Sequence, residues 1–246
     1  MSTALATVIL AAGKGTRMKS DLPKVLHKVL GKTMVARVVA RAEEAGSSQT
    51  VVVIGHKKEL VEIELAAQKV DFAVQAQQLG TGHAVMMAEP ALQEFFGDVL
   101  ILAGDVPLLT SETLIKLIKT HHEEEADATV LSAIFEDPHG YGRIIRTSDG
   151  NYSHSVEEKD ADDEIRKIKE INSGIYLFKS ELLFHYLRFI GTDNIQGEYY
   201  LTDVLPLMRQ DKKKIALQVA DDPDEIQGVN TVDQLREAEE KLKAQK

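Results

Sequence analysis

A glycine-rich turn near the start of the chain brings together side chains that could bind phosphate. Gly13 and Gly15 follow an apolar run, residues 8–12, of the kind that forms a buried strand in a parallel sheet. Because glycine has no Cβ, the backbone can turn sharply here and present its N–H groups to an anionic ligand. Cationic side chains occur in the same stretch: Lys14, Arg17 and Lys24. The segment predicts a phosphate-binding loop, and the alternative is a glycine-rich turn with incidental surface cations.

Two common phosphate loops do not match this segment. The dinucleotide fingerprint needs a third glycine near the helix start, and Met18 stands at that position. The full Gly-x4-Gly-Lys-Ser/Thr string of P-loop NTPases does not occur. A nicotinamide-dependent dehydrogenase is further disfavoured because Gly55, rather than an acidic residue, closes the second predicted strand.

Two polar residues stand where a metal ligand could lie. Asp105 follows a predicted buried strand, and an unpaired carboxylate there is costly, so it indicates either a loop cap or a metal ligand. Asn230 precedes the last predicted helix, residues 232–242, and could simply cap that helix. From the residues alone, both interpretations of each side chain stay open.

Polar residues also follow the third predicted strand, residues 70–74. Gln75 carries an amide with donors and an acceptor, which suits the edge of a pyrimidine, although a polar strand end is the plainer interpretation. Thr81 is predicted to be the N-cap of a helix over residues 83–88, whose positive dipole end would face the same crevice.

A later helix is predicted to start at Thr110 and Ser111, which serve as its caps, and to run to His121. His121 and His122 stand beside an acidic run, as metal ligands sometimes do. Adjacent helical residues do not face one site, however, so a solvated helix end is predicted instead.

Strands and helices alternate along the first half of the chain. Predicted strands cover residues 50–54, 70–74, 99–103 and 128–135, and predicted helices cover residues 33–45, 60–67, 83–88 and 111–121. This alternation predicts an α/β fold with a doubly wound, mostly parallel, Rossmann-like sheet. Beyond residue 127 the pattern changes to short strands around a turn at 148–151, an exposed charged stretch at 160–170, and strands from 171 and over 215–219.

The composition is that of an ordinary globular protein. The chain has 246 residues, of which 43% are hydrophobic and 28% charged, enough to bury the core of one α/β domain. A net charge of −10 argues against nucleic-acid binding but not against a small nucleotide, which needs only local cations. The absence of cysteine excludes disulfides and thiolate metal sites, and it fits a cytoplasmic protein. No apolar run approaches the ~18 residues of a membrane span, so no membrane partner is expected.

Four strings taken together resemble the nucleoside-diphosphate-sugar pyrophosphorylases. They are Leu-x-x-Gly-x-Gly-Thr-Arg at 10–17 with Pro-Lys at 23–24, Gln-x4-Gly-Thr-Gly-His-Ala at 75–84, Gly-Asp-Val-Pro at 104–107 and Gly-Val-Asn at 228–230. Within that family the chain is most similar to the N-acetylglucosamine-1-phosphate uridylyltransferase domain of the bifunctional bacterial enzymes that make UDP-N-acetylglucosamine. Ala103 departs from the tyrosine of some relatives.

The resemblance implies a nucleotide-diphospho-sugar transferase fold with an inserted small sugar-binding lobe, and it gives individual residues a role. Arg17 and Lys24 would act in catalysis, while Asp105 and Asn230 would hold Mg²⁺. The residues implied to bind the nucleotide are Leu10, Ala11, Ala12, Gly13, Gln75, Gly80 and Thr81. The residues implied to bind the sugar are Gly104, Gly142, Glu157, Asn172, Tyr199 and Thr202.

The implied reaction joins UTP and N-acetylglucosamine-1-phosphate to give UDP-N-acetylglucosamine and pyrophosphate. The alternatives are a nucleotidyltransferase for a different sugar-1-phosphate and a nucleotide-sugar sensor without turnover. The transferase domain is predicted at residues 1–229 and a linker-like helix at 230–246. The β-helix of hexapeptide repeats that follows this domain in the bifunctional enzymes has no counterpart in the sequence, so a monomer or weak oligomer is expected.

Overall fold

One large sheet carries the fold in this computed structural model, which describes residues 3–244. The strands are β1 (Leu5–Leu10), β2 (Lys28–Val29), β3 (Lys32–Thr33), β4 (Gln49–Ile54), β5 (Asp71–Val74), β6 (Asp98–Ala103), β7 (Ala128–Ile134), β8 (Gly142–Arg146), β9 (Tyr152–Val156), β10 (Glu170–Lys179) and β11 (Ile215–Val219). The helices are α1 (Met34–Glu44), α2 (Lys58–Glu64), α3 (Thr81–Ala88), α4 (Ser111–Glu123), α5 (Asp163–Arg166), α6 (Ser180–Leu187), α7 (Val204–Gln210) and α8 (Val232–Ala244). Residues 1–2 and 245–246, at the outer ends of the predicted domain and linker helix, lie outside the described range.

The sheet has the strand order β11-β7-β10-β6-β1-β4-β5. The strands β6, β1, β4 and β5 are parallel neighbours, as are β11 and β7, whereas β10 runs antiparallel between β6 and β7. The hairpin of β8 and β9 joins the sheet at β10. The predicted α/β, mostly parallel sheet is confirmed. Because the carboxyl ends of β1, β4 and β6 meet at one edge, the loops after them share a crevice.

Both faces of the sheet are buried, which explains why its central strands are almost continuously apolar. On β1, Leu5 and Ile9 pack into one hydrophobic cluster, while Ala6 and Val8 pack into the other. The first cluster includes residues of α1 and α4, and the second includes residues of α3, α6 and α7. The sheet is thus a rigid base for the loops at its edge.

The last helix packs against the body of the molecule. Ala238 of α8 is 4% exposed and lies in a small cluster with Val29, Met34, Leu108 and Val229. The region predicted as a linker-like helix is therefore docked beside the β2–β3 hairpin along the part of it that the structure describes.

Several element ends differ from the predictions. Helix α2 ends at Glu64 rather than at residue 67, and α3 begins at Thr81 rather than at residue 83. Thr110 is the predicted N-cap of α4, because its hydroxyl accepts from the Thr113 N–H at 3.2 Å. The charged stretch contains the short exposed helix α5.

None of the helices within residues 3–244 is long and apolar enough to cross a membrane.

The prediction that His121 and His122 lie at a solvated helix end is wrong for His121, whereas the His122 side chain is 40% exposed. His121 is 2% exposed, and its Nδ1 lies 2.8 Å from Thr129 Oγ1. The Asp98 carboxylate, at the start of β6, contacts His122 Nε2 at 2.7 Å through one oxygen and lies 3.6 Å from His121 Nε2 through the other. Although burial opposes the shift, the two imidazoles lower the pKa of Asp98. Adjacent helical residues reach one site here because the carboxylate offers two oxygens.

Candidate active site

The turn after β1 is pressed against the segment that carries Lys24. Ala11 continues the strand by donating its N–H to the carbonyl of Val53 on β4 at 2.8 Å. Gly15 then adopts a φ of +62°, and a Cβ at this position would lie 2.5 Å from the Cβ of Lys24. Only glycine satisfies both conditions without a shift of the chain. Gly13, by contrast, faces open space.

Arg17 lies in a 3₁₀ turn, Thr16–Met18, directly after Gly15. Met18 is 1% exposed and anchors this turn in the core, so the neighbouring Arg17 side chain stays exposed. The guanidinium of Arg17 donates to Asn230 Oδ1 at 2.8 Å. The first predicted catalytic residue thus contacts the second predicted metal ligand.

Lys24 joins the same group. Its ammonium forms an ion pair with Asp105 and donates to Asn230 Oδ1 at 2.9 Å. The Lys24 and Asp105 side chains are only 17% and 16% exposed. We call Arg17, Lys24, Asp105 and Asn230 the four-residue cluster; the sequence predicts its members from separate strings, and the fold brings them together.

Backbone hydrogen bonds hold Asp105 and Asn230 of the cluster side by side. The Gly104 N–H donates to the Leu10 carbonyl at 2.9 Å and joins the ends of β6 and β1. The Asp105 carbonyl accepts from the Val229 N–H, also at 2.9 Å. Asp105 is thereby fixed against the loop that leads into Asn230.

The side chain of Asn230 does not cap α8. The N–H of Gln234 is instead capped by the Thr231 hydroxyl at 3.2 Å, and the Asn230 amide oxygen is left to accept from Arg17 and Lys24. The capping alternative for Asn230 is therefore wrong, because the next residue performs that task.

The Asp105–Asn230 pair suits a divalent cation. A carboxylate and an amide oxygen converge on one ammonium, so this position already accommodates positive charge. Both are hard oxygen ligands of the type that Mg²⁺ takes, with water and substrate phosphate completing its shell. Within residues 3–244 there is no group of three or more His, Cys, Asp or Glu that could hold a metal.

Tyr141 is a supporting residue that the sequence predictions missed. Its hydroxyl accepts from the Gly228 N–H at 3.3 Å, in the loop before Asn230. Burial raises the pKa of Tyr141, the Gly228 hydrogen bond opposes this rise, and the nearby Asp105 and Arg17 charges add smaller effects of opposite sign. The string Gly-Tyr-Gly at 140–142 was the available signal, but nothing in it indicates a contact with a loop so distant in sequence.

Six of the seven predicted nucleotide residues line one cavity, whereas Ala11 is buried in the hydrophobic cluster that contains Ile9. The volume of the cavity is about 210 Å³, below the ~300–1,000 Å³ of pockets for drug-sized ligands, so it would suit a single base, and we call it the base cavity. Gln75 is 3% exposed, and its Nε2 donates to the Gly80 carbonyl at 3.0 Å. The cavity is lined by Leu10, Ala12, Gly13, Gln75, Gln78, Gly80, Thr81, Ala84 and Glu198.

Thr81 is not an N-cap. The N-cap position of α3 is Gly80, at φ +111°, and it provides no side-chain bond. The Thr81 hydroxyl accepts instead from the Leu201 N–H at 3.1 Å. A Cβ on Gly80 would lie 2.4 Å from the Tyr199 carbonyl, so the loop before α3 and the segment around Tyr199 are in close contact.

The predicted sugar residues form a second group around Glu157. The Thr202 hydroxyl donates to Glu157 Oε1 at 3.2 Å, and a Cβ on Gly142 would lie 3.3 Å from Glu157 Oε2. Burial raises the pKa of Glu157, the Thr202 hydrogen bond opposes that rise, and the nearby Asp203 and Asp160 charges add to it. A desolvated carboxylate with capacity to accept is suited to sugar hydroxyls.

Asn172 belongs to this group through the sheet. It pairs with Gly142 of β8, and its Nδ2 donates to Ser155 Oγ at 3.3 Å. Its Oδ1 accepts from the Gly174 N–H at 3.1 Å, where the register of β10 against β7 shifts. The Asn172 side chain thus provides a hydrogen bond to the backbone N–H of Gly174, which lies at the irregularity in β10.

Two predicted sugar residues have their described contacts elsewhere. Gly104 contacts the end of β1, as described above. Tyr199 lies behind the base cavity: its carbonyl accepts from the Gly82 N–H at 2.8 Å, and its ring stacks on His83 with centroids 6.3 Å apart.

Known proteins share both the sequence and the fold. The model of the MobA-like NTP transferase domain matches residues 7–170. The bifunctional protein GlmU of Streptococcus suis is 54% identical over 223 residues, which is 91% of this chain and 48% of that protein. GlmU of Caldanaerobacter subterraneus is 53% identical over 239 residues, 97% of this chain and 52% of that protein. The chain therefore spans about half the length of these relatives.

A solved structure of UDP-glucose pyrophosphorylase complexed with UDP-glucose superimposes with a TM-score of 0.77 over 100% of both chains. Its sequence identity is 18%, so the similarity is one of fold. The domain match covers well over half of the sequence and includes the glycine turn, Lys24, Gln75 and Asp105. The chain belongs to the MobA-like NTP transferase family.

Proposed function

We propose that this chain catalyses, in the cytoplasm, uridylyl transfer from UTP to N-acetylglucosamine-1-phosphate, giving UDP-N-acetylglucosamine and pyrophosphate. The observation that carries the proposal is the four-residue cluster, in which two cations converge at the sheet edge with a carboxylate and an amide oxygen that could bind a metal. The similarity to GlmU over more than 90% of the chain supports the choice of substrates.

The reaction needs no general base from the protein. A phosphate monoester has its second pKa near ~6, so an oxygen of the sugar phosphate is largely ionised at neutral pH. That oxygen attacks the α-phosphorus of UTP in line, the bond to the bridging oxygen of the β-phosphate breaks, and pyrophosphate leaves. Positioning and charge stabilisation by the protein supply the catalysis.

In this proposal, Arg17 and Lys24 contact different phosphate groups of the substrates. Arg17, exposed on the turn after β1, donates to the departing pyrophosphate together with the backbone N–H groups of that turn. Lys24, held more deeply by Asp105, neutralises the sugar phosphate as it approaches. Both cations leave Asn230 for phosphate oxygens when substrate binds.

Asp105 and Asn230 would hold the divalent ion that nucleotidyltransferases generally use, and we propose that it is Mg²⁺. When bound, the ion supplies charge neutralisation on the nucleotide phosphates. The carboxylate of Asp105 and the amide of Asn230 together contribute one negative charge, which leaves such an ion electrophilic.

The sugar would bind in the group around Glu157. Glu157 accepts from sugar hydroxyls, while Asn172 and the backbone at Gly142 contact the ring from β10 and β8. Thr202 and the segment at Tyr199 are proposed to enclose the acetamido group. Buried polar groups that a wrong substrate leaves unpaired can discriminate by orders of magnitude.

Pyrophosphate release across a panel of nucleoside triphosphates and sugar-1-phosphates tests the proposal. We expect the highest kcat/KM for UTP with N-acetylglucosamine-1-phosphate. Equal values for glucose-1-phosphate would contradict the proposed sugar, and binding of UDP-N-acetylglucosamine without turnover would favour a sensor. Light scattering on the same sample tests whether the 246-residue chain is a monomer or weak oligomer, as proposed.

A further inference from the structure

The orientation of the Gln75 side chain in the base cavity is fixed by two hydrogen bonds. Its Nε2 lies 3.0 Å from the Gly80 carbonyl and 3.0 Å from His83 Nδ1. An amide nitrogen has two hydrogens, and a carbonyl can only accept, so the second hydrogen points to His83. His83 Nδ1 therefore accepts with its lone pair, and the hydrogen of the neutral imidazole is on Nε2.

The imidazole is itself held in place. His83 lies in the first turn of α3, and its ring stacks on that of Tyr199 with an angle of 30° between the planes. This stacking keeps Nδ1 in the plane where it meets the Gln75 amide. The contact thus depends on a ring that the neighbouring segment positions.

Because both hydrogen bonds are made by Nε2, Gln75 Oε1 is the atom of the amide that remains for a ligand. No residue in the described range donates a hydrogen bond to this oxygen, although Gln75 is 3% exposed and lines the cavity. Both amide hydrogens are used, so an acceptor is all that the side chain offers to a ligand. A flipped amide would offer a donor instead, but it would set Oε1 against the Gly80 carbonyl and against the lone pair of His83.

Uracil and cytosine differ at the position that such an atom can read. Uracil carries a hydrogen on N3, whereas N3 of cytosine is an acceptor. An oxygen fixed opposite N3 pairs with uracil and repels cytosine. We propose that His83 is a positioning residue that fixes the Gln75 amide with its oxygen toward the base, and that it thereby makes the site select UTP over CTP. This rests on the proposed function, because it assigns the cavity to the base of the nucleotide.

The test compares dissociation constants for UTP and CTP, measured by calorimetry with Mg²⁺ and without sugar phosphate. For His83→Ala we expect the ratio of the CTP to the UTP constant to fall at least about tenfold, because only the Gly80 carbonyl then opposes a flip of the amide. His83→Asn should restore much of the ratio, since its amide oxygen can accept from Gln75 Nε2 in place of the imidazole nitrogen. His154→Ala, at an exposed position on β9, is the matched control and should leave the ratio unchanged.

A purely structural role predicts another pattern. In that case His83→Ala weakens UTP and CTP binding equally, and the unchanged ratio overturns the proposal. A His83→Asn variant that discriminates no better than His83→Ala overturns it as well. If the wild type binds UTP selectively but releases no pyrophosphate with any sugar phosphate, the proposed function fails while the ratio still tests His83. If the wild type binds neither nucleotide, both proposals fail.

Discussion

At the residue scale, the cationic side chains of the site compete for the oxygens of Asp105 and Asn230. Arg17 and Lys24 both donate to Asn230 Oδ1, and Lys24 also pairs with Asp105. The side chains proposed to hold a metal are therefore neutralised by the protein's own cations. When a metal and phosphates bind, the metal would replace the cations at these oxygens. The cations would then pair with the phosphates.

Substitution of Arg17 should affect turnover more than UTP binding. We expect Arg17→Ala to lower kcat about a hundredfold, roughly 3 kcal/mol, because a charge-assisted contact that strengthens in the transition state is lost. Steady-state kinetics and UTP calorimetry measure the two effects. Arg188→Ala, which removes an exposed cation paired with Glu89, is the control. Normal turnover with weaker UTP affinity would show that Arg17 only binds.

Removal of the Lys24 cation should tighten metal binding to the nucleotide-free protein. Lys24→Met frees the oxygens of Asp105 and Asn230, so we expect Mn²⁺ to bind about fivefold more tightly, about 1 kcal/mol for a partly exposed ion pair. Mn²⁺ titration followed by electron paramagnetic resonance measures this in the absence of substrate. Weaker Mn²⁺ binding in the variant would contradict the idea that ammonium and metal compete.

At the element scale, the glycine turn and the loop before α8 work as two halves of one site. Gly15 lets the turn lie against the Lys24 segment, and the Val229 N–H bonded to the Asp105 carbonyl brings in the other half. The positions of the charged groups thus depend on the backbone geometry of these two segments.

Gly15→Ala should therefore damage the site without a change at any charged residue. The added Cβ would lie 2.5 Å from the Cβ of Lys24, so we expect the turn to shift and kcat/KM to fall at least about tenfold, as for other misplaced catalytic groups. Gly150→Ala is a matched control, because its φ is +86° and nothing lies within 4 Å of the added atom. It carries the same backbone strain, so similar losses of activity in both variants would contradict the role of the contact.

Local strings in the sequence predicted the strands, the glycine turn and the members of the four-residue cluster. They did not predict contacts that depend on how distant elements pack. Thr81 has the residue type of an N-cap, but its hydroxyl is taken by the Leu201 N–H. Tyr141 supports the loop before Asn230 from the segment that leads into β8. Such contacts follow from the tertiary fold, which residue spacing alone does not encode.

At the scale of the whole molecule, the two ends of β6 serve different purposes. Its carboxyl end leads to Asp105 and the proposed chemistry. Its amino end begins at Asp98, which is buried against two histidines of α4. Asp98 and these two histidines tie α4 to the sheet at the edge opposite Asp105, which indicates a role in stability.

Asp98→Asn should destabilise the fold in a pH-dependent way. The folded-state pKa of Asp98 is depressed, so its contribution is present above the ordinary pKa of about 3.9 and is lost as the pH falls through the folded value. We expect a loss of about 1–3 kcal/mol at pH 7, as for a buried hydrogen bond to a charged group. Urea unfolding from pH 7 to pH 3 should show the difference between the two proteins narrowing below about pH 4. A difference that stays constant over this range would argue against a charge effect.

The bond between Arg17 and Asn230 joins residues 213 positions apart and has a consequence for synthesis. Translation starts at the N-terminus, so the glycine turn, the base cavity and the Glu157 group all emerge from the ribosome before residue 230. A nascent chain interrupted at about residue 225 would carry nearly all of the sheet but only one of the two proposed metal-binding oxygens. We expect such a product to hold nucleotide loosely and to transfer nothing, so that activity arises only once residue 230 has been synthesised and has folded against the glycine turn.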